Sequence, residues 1–199
     1  MPTPPTTASA WIQQWAHLLA PGATVLDVAA GNGRHARYFA SRGHPVLALD
    51  RDATALAGLA NVAGITTRCA DLENAAWPLG ATEQFGAIVV TNYLHRPLFP
   101  FFLDTLAPGG VLLYETFAQG NESVGERKPS NPAFLLAPGE LLAAVGARLR
   151  VIAYQDGFTS VPRASCVQRI CAVSEPKAPQ ADLTDRNKAV DPLRYVLPV

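Results

Sequence analysis

Two glycines spaced two apart, Gly31 and Gly33, lie in the run Val25-Leu26-Asp27-Val28-Ala29-Ala30-Gly31-Asn32-Gly33-Arg34-His35-Ala36, between an apolar strand pattern and a helical one. A bend so poor in side chains lets the backbone approach a ligand closely in the crevice beyond the strand ends. Asp27 stands four residues before Gly31, where the strand of a diphosphate-binding turn carries a buried apolar residue. A carboxylate there repels a pyrophosphate and suits a cationic group. Asp50 follows Gly33 by seventeen residues and closes a second apolar run, the place from which an acid reaches ribose hydroxyls. A ligand with an ammonium and a ribose but no phosphate satisfies both acids. The spacing of Gly31, Gly33 and Ala36 with Asp50 downstream also meets the G-x-G-x-x-A pattern of nicotinamide dinucleotide sites. An NAD-dependent oxidoreductase is therefore the rival reading, opposed by the charge at Asp27 and the lack of room for a substrate domain.

Such residues need a scaffold that gathers strand ends, and the apolar periodicity supplies one. Ser9 to Ala20 places Trp11, Ile12, Trp15, Leu18 and Leu19 at helical spacing before Pro21 and Gly22. Strands are expected over Thr24–Val28, Pro45–Leu49, Ile65–Cys69, Phe85–Thr91 and Val111–Phe117. Between them fall a helix with Ala36, Phe39 and Ala40 on one face, a helix capped by Asp52 and ended by Gly64, and a helix begun by Pro97. The run 85–91 is apolar on both faces, as a central parallel strand covered on both sides must be. Ala107-Pro108-Gly109-Gly110 reads as a turn, and Ala118 to Asn131 as a long loop over a site. Pro138 to Val145 makes a further helix. Leu149–Gln155 and Ala164–Val173, with no helix between them, read as an antiparallel pair. A single domain over 9–174 is expected between flexible ends at 1–8 and 175–199.

The chain has 199 residues, 16 basic and 16 acidic, and a hydrophobic share of 49% broken into short blocks. No net charge is available to attract nucleic acid or anionic lipid, and neither membrane spans nor global disorder fit this composition. Cys69, Cys166 and Cys171 form no Cys-x-x-Cys, and the first ten residues carry no basic residue. A cytoplasmic protein with reduced thiols is expected. Asp104 and Asp156 lie apart from other acids and no His-x-x-x-His pair occurs, so no metal is expected.

The D-x-x-x-G-x-G signature joins the Ala-Asp-Leu-Glu step at 70–73, the Pro-Gly-Gly turn and the terminal hairpin. With these, Ser9 to Val173 resembles a class I S-adenosylmethionine-dependent methyltransferase. Asn92-Tyr93-Leu94-His95-Arg96-Pro97-Leu98 and Leu136-x-Pro138-Gly139-Glu140-Leu141 are similar to bacterial members grouped near the tellurite-resistance enzymes. The resemblance implies an α/β, Rossmann-like fold: a seven-stranded, mostly parallel sheet with its last strand antiparallel and helices on both faces. It implies S-adenosylmethionine as donor and S-adenosylhomocysteine as product. Asp27, Ala29 and the Gly31-Asn32-Gly33 loop then serve the methionine end and Asp50 the ribose. Arg51 belongs to the same donor-binding group, Asp71 and Leu72 meet the adenine edge, and Asn92 lines the methyl region. Ala29 departs from the pattern, since many members have glycine there, and its methyl group should narrow the loop without closing it.

Methyl transfer from a sulfonium is an in-line displacement in which positioning supplies much of the catalysis. His95 is a candidate base or acceptor-orienting group, or else a rim histidine bonded to a carbonyl. Tyr93 either lines the methyl region or packs. Glu115 either handles the acceptor or pairs with Arg127 or Lys128, and these two with Arg163 either receive an anionic acceptor or are solvated surface. Trp11 and Trp15 form a lid over the donor or simply core, and His17 and His35 read as surface or packing residues. Thr91-Asn92-Tyr93-Leu94 is not the Asn/Asp-Pro-Pro-Tyr motif of nucleic-acid base methylation, so a small-molecule acceptor is expected and nucleic acid is not. A methyltransferase fold working as a non-catalytic partner subunit is the third reading.

Overall fold

The expected strand patterns pair into one sheet in a computed structural model that describes residues 7–124, 129, 131–175 and 195–198. In chain order the strands are β1 (Val25–Val28), β2 (Val46–Asp50), β3 (Ile65–Cys69), β4 (Phe85–Thr91), β5 (Leu106–Phe117), β6 (Arg150–Thr159) and β7 (Ser165–Val173). Their spatial order is β3-β2-β1-β4-β5-β7-β6. The strands from β3 to β5 pair in parallel, and β7 runs antiparallel between β5 and β6. The helices are α1 (Ala10–Trp15), α2 (Arg34–Ala40), α3 (Ala53–Ala57), α4 (Phe99–Thr105) and α5 (Glu140–Val145).

Strand alternation divides the core into two layers. Leu26, Val28, Ile88, Val90, Leu112, Tyr114 and Ile170 face Phe102 of α4 with Leu141 and Val145 of α5. Val25, Ala48, Val89, Val111, Leu113 and Cys171 face Trp11, Ile12 and Trp15 of α1, Ala36 and Phe39 of α2, and Leu56 of α3. Both faces of the sheet are covered, which accounts for the unbroken apolar run of β4.

Boundaries differ where local hydrogen bonding overrides periodicity. The first helical pattern breaks after Trp15 into a 3₁₀ turn over Ala16–Leu18. α3 is capped by Asp52, which accepts from the amides of Thr54 and Ala55, but it ends at Ala57 well short of Gly64. The Pro-Gly-Gly stretch lies inside β5: the Gly109 amide donates to the Ser174 carbonyl, and the Ser174 amide to the Gly110 carbonyl. α5 begins at Glu140, after a left-handed Gly139. Residues 1–6, Arg127, Lys128 and 176–194 lie outside the described residues. Within the stretch expected to be a free tail, Tyr195 packs against the α1 layer, with the Arg150 guanidinium 5.3 Å from its ring centroid.

Candidate active site

The sheet order reverses between β1 and β4, opening a crevice at the carboxyl ends of the strands. A pocket of about 180 Å³ lies there, lined by Ala29, Asp50, Arg51, Ala70, Asp71, Leu72, Glu73 and Tyr93. They come from the stretches that follow β1, β2, β3 and β4, with Asp50 the last residue of β2 itself. Asp50 Oδ2 accepts from the Gly31 amide at 2.6 Å and Oδ1 from the Asp52 amide at 2.9 Å. The acid thus ties the glycine loop to β2, and each oxygen keeps a lone pair for a ligand. Asp71 accepts from the amides of Glu73 and Asn74 and from the Asn74 side chain. The Asn74 side-chain bond, with those amides, holds its carboxyl below the usual range.

The Tyr93 hydroxyl is buried and has no hydrogen-bond partner among the described residues. Burial, with the Glu73 and Asp71 carboxylates, pushes this phenol above its ordinary range. An orphaned polar atom in the wall of a pocket calls for a partner from a ligand. Ala29 holds a left-handed backbone with φ 53°, the conformation that explains the usual glycine at this place. Its methyl group narrows the pocket but leaves it open.

Asp27 does not line the pocket. Residues 25 and 27 point to the α2 side of β1, and Asp27 Oδ2 accepts from the Ala36 amide at 3.0 Å. The N-cap of α2 is Gly33, which has no side chain to offer. The strand carboxylate therefore caps the first turn of the helix from outside. Burial pushes its pKa up to about 7, against lowering by the Ala36 amide and Arg34. Gly33 itself is confined: a Cβ there would lie 2.4 Å from Leu59 Cδ1, and its φ is 72°. Around Gly31 a Cβ would meet nothing within 4 Å. Asn32 lies exposed between these two glycines, and neither they nor Asn32 line the pocket.

Across the glycine loop, Glu115 is buried and accepts from Arg169 Nε and, at 2.9 Å, from Ser9 Oγ. Glu115 and Arg169 are register partners across β5 and β7. The Ser9 amide donates to His35 Nε2 at 3.2 Å, which leaves the proton on Nδ1 facing Thr91 Oγ1 at 3.4 Å. Burial and Arg34 push the His35 pKa down to about 3, so the ring is neutral. His95 precedes the 3₁₀ turn Arg96–Leu98 and is half-buried, outside the pocket lining. Asn92 is exposed, with φ 54°, and its amide donates to the Glu115 carbonyl. Trp11 and Trp15 pack on the sheet, Trp11 Nε1 donating to the Ile170 carbonyl, and do not line the pocket.

Six of the sequence candidates, Ala29, Asp50, Arg51, Asp71, Leu72 and Tyr93, thus meet in one pocket. Ala70 and Glu73 join them, and the Ala-Asp-Leu-Glu step that contains both was their signal. Ser9 and Arg169 had none, because their partners are set by pairing between distant segments. Among the described residues no group of His, Cys, Asp and Glu is arranged to hold a metal, and no helix is long and apolar enough to cross a membrane.

Residues 25–110 match the family described as a methyltransferase domain. Among solved structures, TehB from Haemophilus influenzae is similar with a TM-score of 0.70 at 18% identity, over 84% of this chain and 63% of that one. This chain thus spans less than two thirds of the TehB chain. The glycopeptide N-methyltransferase MtfA, complexed with S-adenosyl-L-homocysteine, gives 0.58 at 21% identity over 81% of this chain and 87% of that one. An S-adenosylmethionine-dependent methyltransferase from Methanosarcina mazei gives 0.63 at 14% over 86% and 100%. No curated protein sequence matches the chain. The shared feature is the class I methyltransferase fold.

Proposed function

We propose that this chain, a class I methyltransferase fold with a methyltransferase domain over residues 25–110, moves a methyl group from S-adenosylmethionine to a small-molecule acceptor. The observation that carries the reading is the pocket itself. Three carboxylates, Asp50, Asp71 and Glu73, and one guanidinium, Arg51, surround it beside the glycine loop. Such a lining suits a ribose and an uncharged purine and opposes a diphosphate.

When bound, S-adenosylmethionine supplies an electrophilic methyl that passes in line to the acceptor's nucleophile, while the electron pair of the broken bond returns to sulfur. Asp50 accepts from ribose hydroxyls with the lone pairs its backbone bonds leave free. Ala70 and Leu72 offer apolar surface to the purine, Asp71 shapes the turn that holds them, and the Tyr93 hydroxyl gains a partner. Bare backbone at Gly31 allows the methionine end to lie close. Glu115, tied to Arg169 and Ser9, orients rather than abstracts. An acceptor thiolate or oxyanion needs no base, whereas a hydroxyl or amine calls on His95. A small-molecule acceptor accords with the glycopeptide named for MtfA.

Titration calorimetry with S-adenosylhomocysteine tests the reading, with saturable heat expected. Asp50→Asn should weaken that binding by about 1–3 kcal/mol, the value of a charge-assisted hydrogen bond. Absence of heat with folded protein, together with enhanced NADH fluorescence, would replace the methyltransferase by the oxidoreductase.

A further inference from the structure

Asp71, the acid expected at the adenine edge, is mostly occupied by its own turn. Its Oδ1 accepts from the amides of Glu73 and Asn74 at 2.9 and 3.1 Å, and its Oδ2 from the Asn74 side-chain amide at 3.0 Å. A carboxylate oxygen has about two lone-pair positions, so Oδ1 is full and Oδ2 keeps one. The turn also fixes the backbone of Glu73, which lines the same pocket. Glu73 is exposed, and its carboxylate makes no hydrogen bond or ion pair with another described residue.

The pocket wall holds a second polar group without a partner among the described residues, the Tyr93 hydroxyl. Tyr93 is firmly placed. The hydroxyl of Tyr114, buried on β5, donates to its carbonyl at 2.9 Å, and its ring packs against the core layer under α4 and α5. Burial raises the pKa of this phenol most, and Glu73 raises it more than any other charge does. The hydroxyl therefore stays protonated and is a donor, and the carboxylate that acts on it most strongly is the one with no partner.

A buried hydroxyl with nothing to bond is costly, and so is a carboxylate desolvated by a ligand that fills the cavity. A hydrogen bond from Tyr93 to Glu73 relieves both and fixes the direction of the carboxylate. The remaining lone pairs suit an N–H donor. Ala70 and Leu72, on the same stretch of chain, offer a base only apolar surface. A purine with an exocyclic amine satisfies the carboxylate, and a purine without one leaves it unpaired.

We propose that Glu73, oriented by the Tyr93 hydroxyl, reads the exocyclic amine of the donor's purine, with Tyr93 as a positioning residue and Asp71 confined to shaping the turn. This deepens the methyltransferase reading and rests on it for the identity of the ligand.

The experiment is calorimetric titration with S-adenosylhomocysteine and with its counterpart that has hydrogen in place of the purine amine. The parent protein should bind S-adenosylhomocysteine about tenfold more tightly than the counterpart, the value of one hydrogen bond to a charged group. Glu73→Ala should bring the two affinities within about twofold, mainly by weakening S-adenosylhomocysteine. Tyr93→Phe should reduce the preference about threefold, and should reduce it no further in the Glu73→Ala background, as expected of residues that act as one unit. A ring that merely packs would change both affinities alike and leave the preference intact. Equal binding of the two ligands by the parent, a preference that survives Glu73→Ala, or an unchanged preference in Tyr93→Phe overturns the proposal while leaving the donor in place. Absence of S-adenosylhomocysteine binding to the folded parent overturns the methyltransferase reading itself, and this assignment with it.

Discussion

Asp27 shows how one acid can shape a pocket it does not line. Its carboxylate satisfies the first turn of α2 and so fixes the glycine loop, at the cost of burying a charge. The folded pKa, about 7, exceeds the ordinary 3.8. Between these values the unfolded chain has lost the proton that the folded chain keeps, so this group lowers stability as pH rises through the window. Asp27→Asn retains an oxygen for the Ala36 amide and has no charge to bury. The variant should be more stable than the parent at about pH 8, by up to roughly 4 kcal/mol, and should lose the advantage near pH 4. Urea denaturation across that range checks this, and equal stability at about pH 8 would remove the buried charge as an explanation.

At the scale of elements, the loop between β1 and α2 has two glycines with different duties. Gly33 is held against Leu59 and Gly31 faces open space. Gly33→Ala should therefore destabilise the fold by about 1–3 kcal/mol, from backbone strain and overpacking. Gly31→Ala carries the strain alone and should cost less stability, while reducing S-adenosylhomocysteine affinity more. Denaturation midpoints and calorimetry on the pair separate these effects; identical profiles for the two variants would contradict the assignment. The Glu115–Arg169 pair is also a property of elements, because only the register of β5 on β7 makes these residues opposite.

For the whole molecule, the sheet separates two apolar layers that have no side chain in common. Ile88 belongs to the layer under α4 and α5, and Phe39 to the layer under α1, α2 and α3. Ile88→Val should cost about 0.5–1.5 kcal/mol by losing a buried methylene. Combined with Phe39→Leu, the losses should add to within about 0.5 kcal/mol, as expected of sites without common partners. A larger coupling in the double variant would show that strain passes through the sheet.

Period-two and helical apolar patterns determined the strand count, the parallel core of the sheet and the reversed final strand, because burial on one or both faces leaves its mark on local composition. Asp50 and Tyr93 were legible as pocket residues for a related reason, since each stands at or just beyond a strand end and a parallel sheet brings such ends together, whereas Ala29, Asp71 and Leu72 were supplied by the family resemblance. Only the tertiary structure decided that Asp27 caps a helix, since the amide it serves belongs to the next element. It likewise decided that Glu115 is taken by Arg169 and Ser9. Pairing among charges depends on which distant segments pack side by side, and that information is spread along the chain rather than held in any window of it.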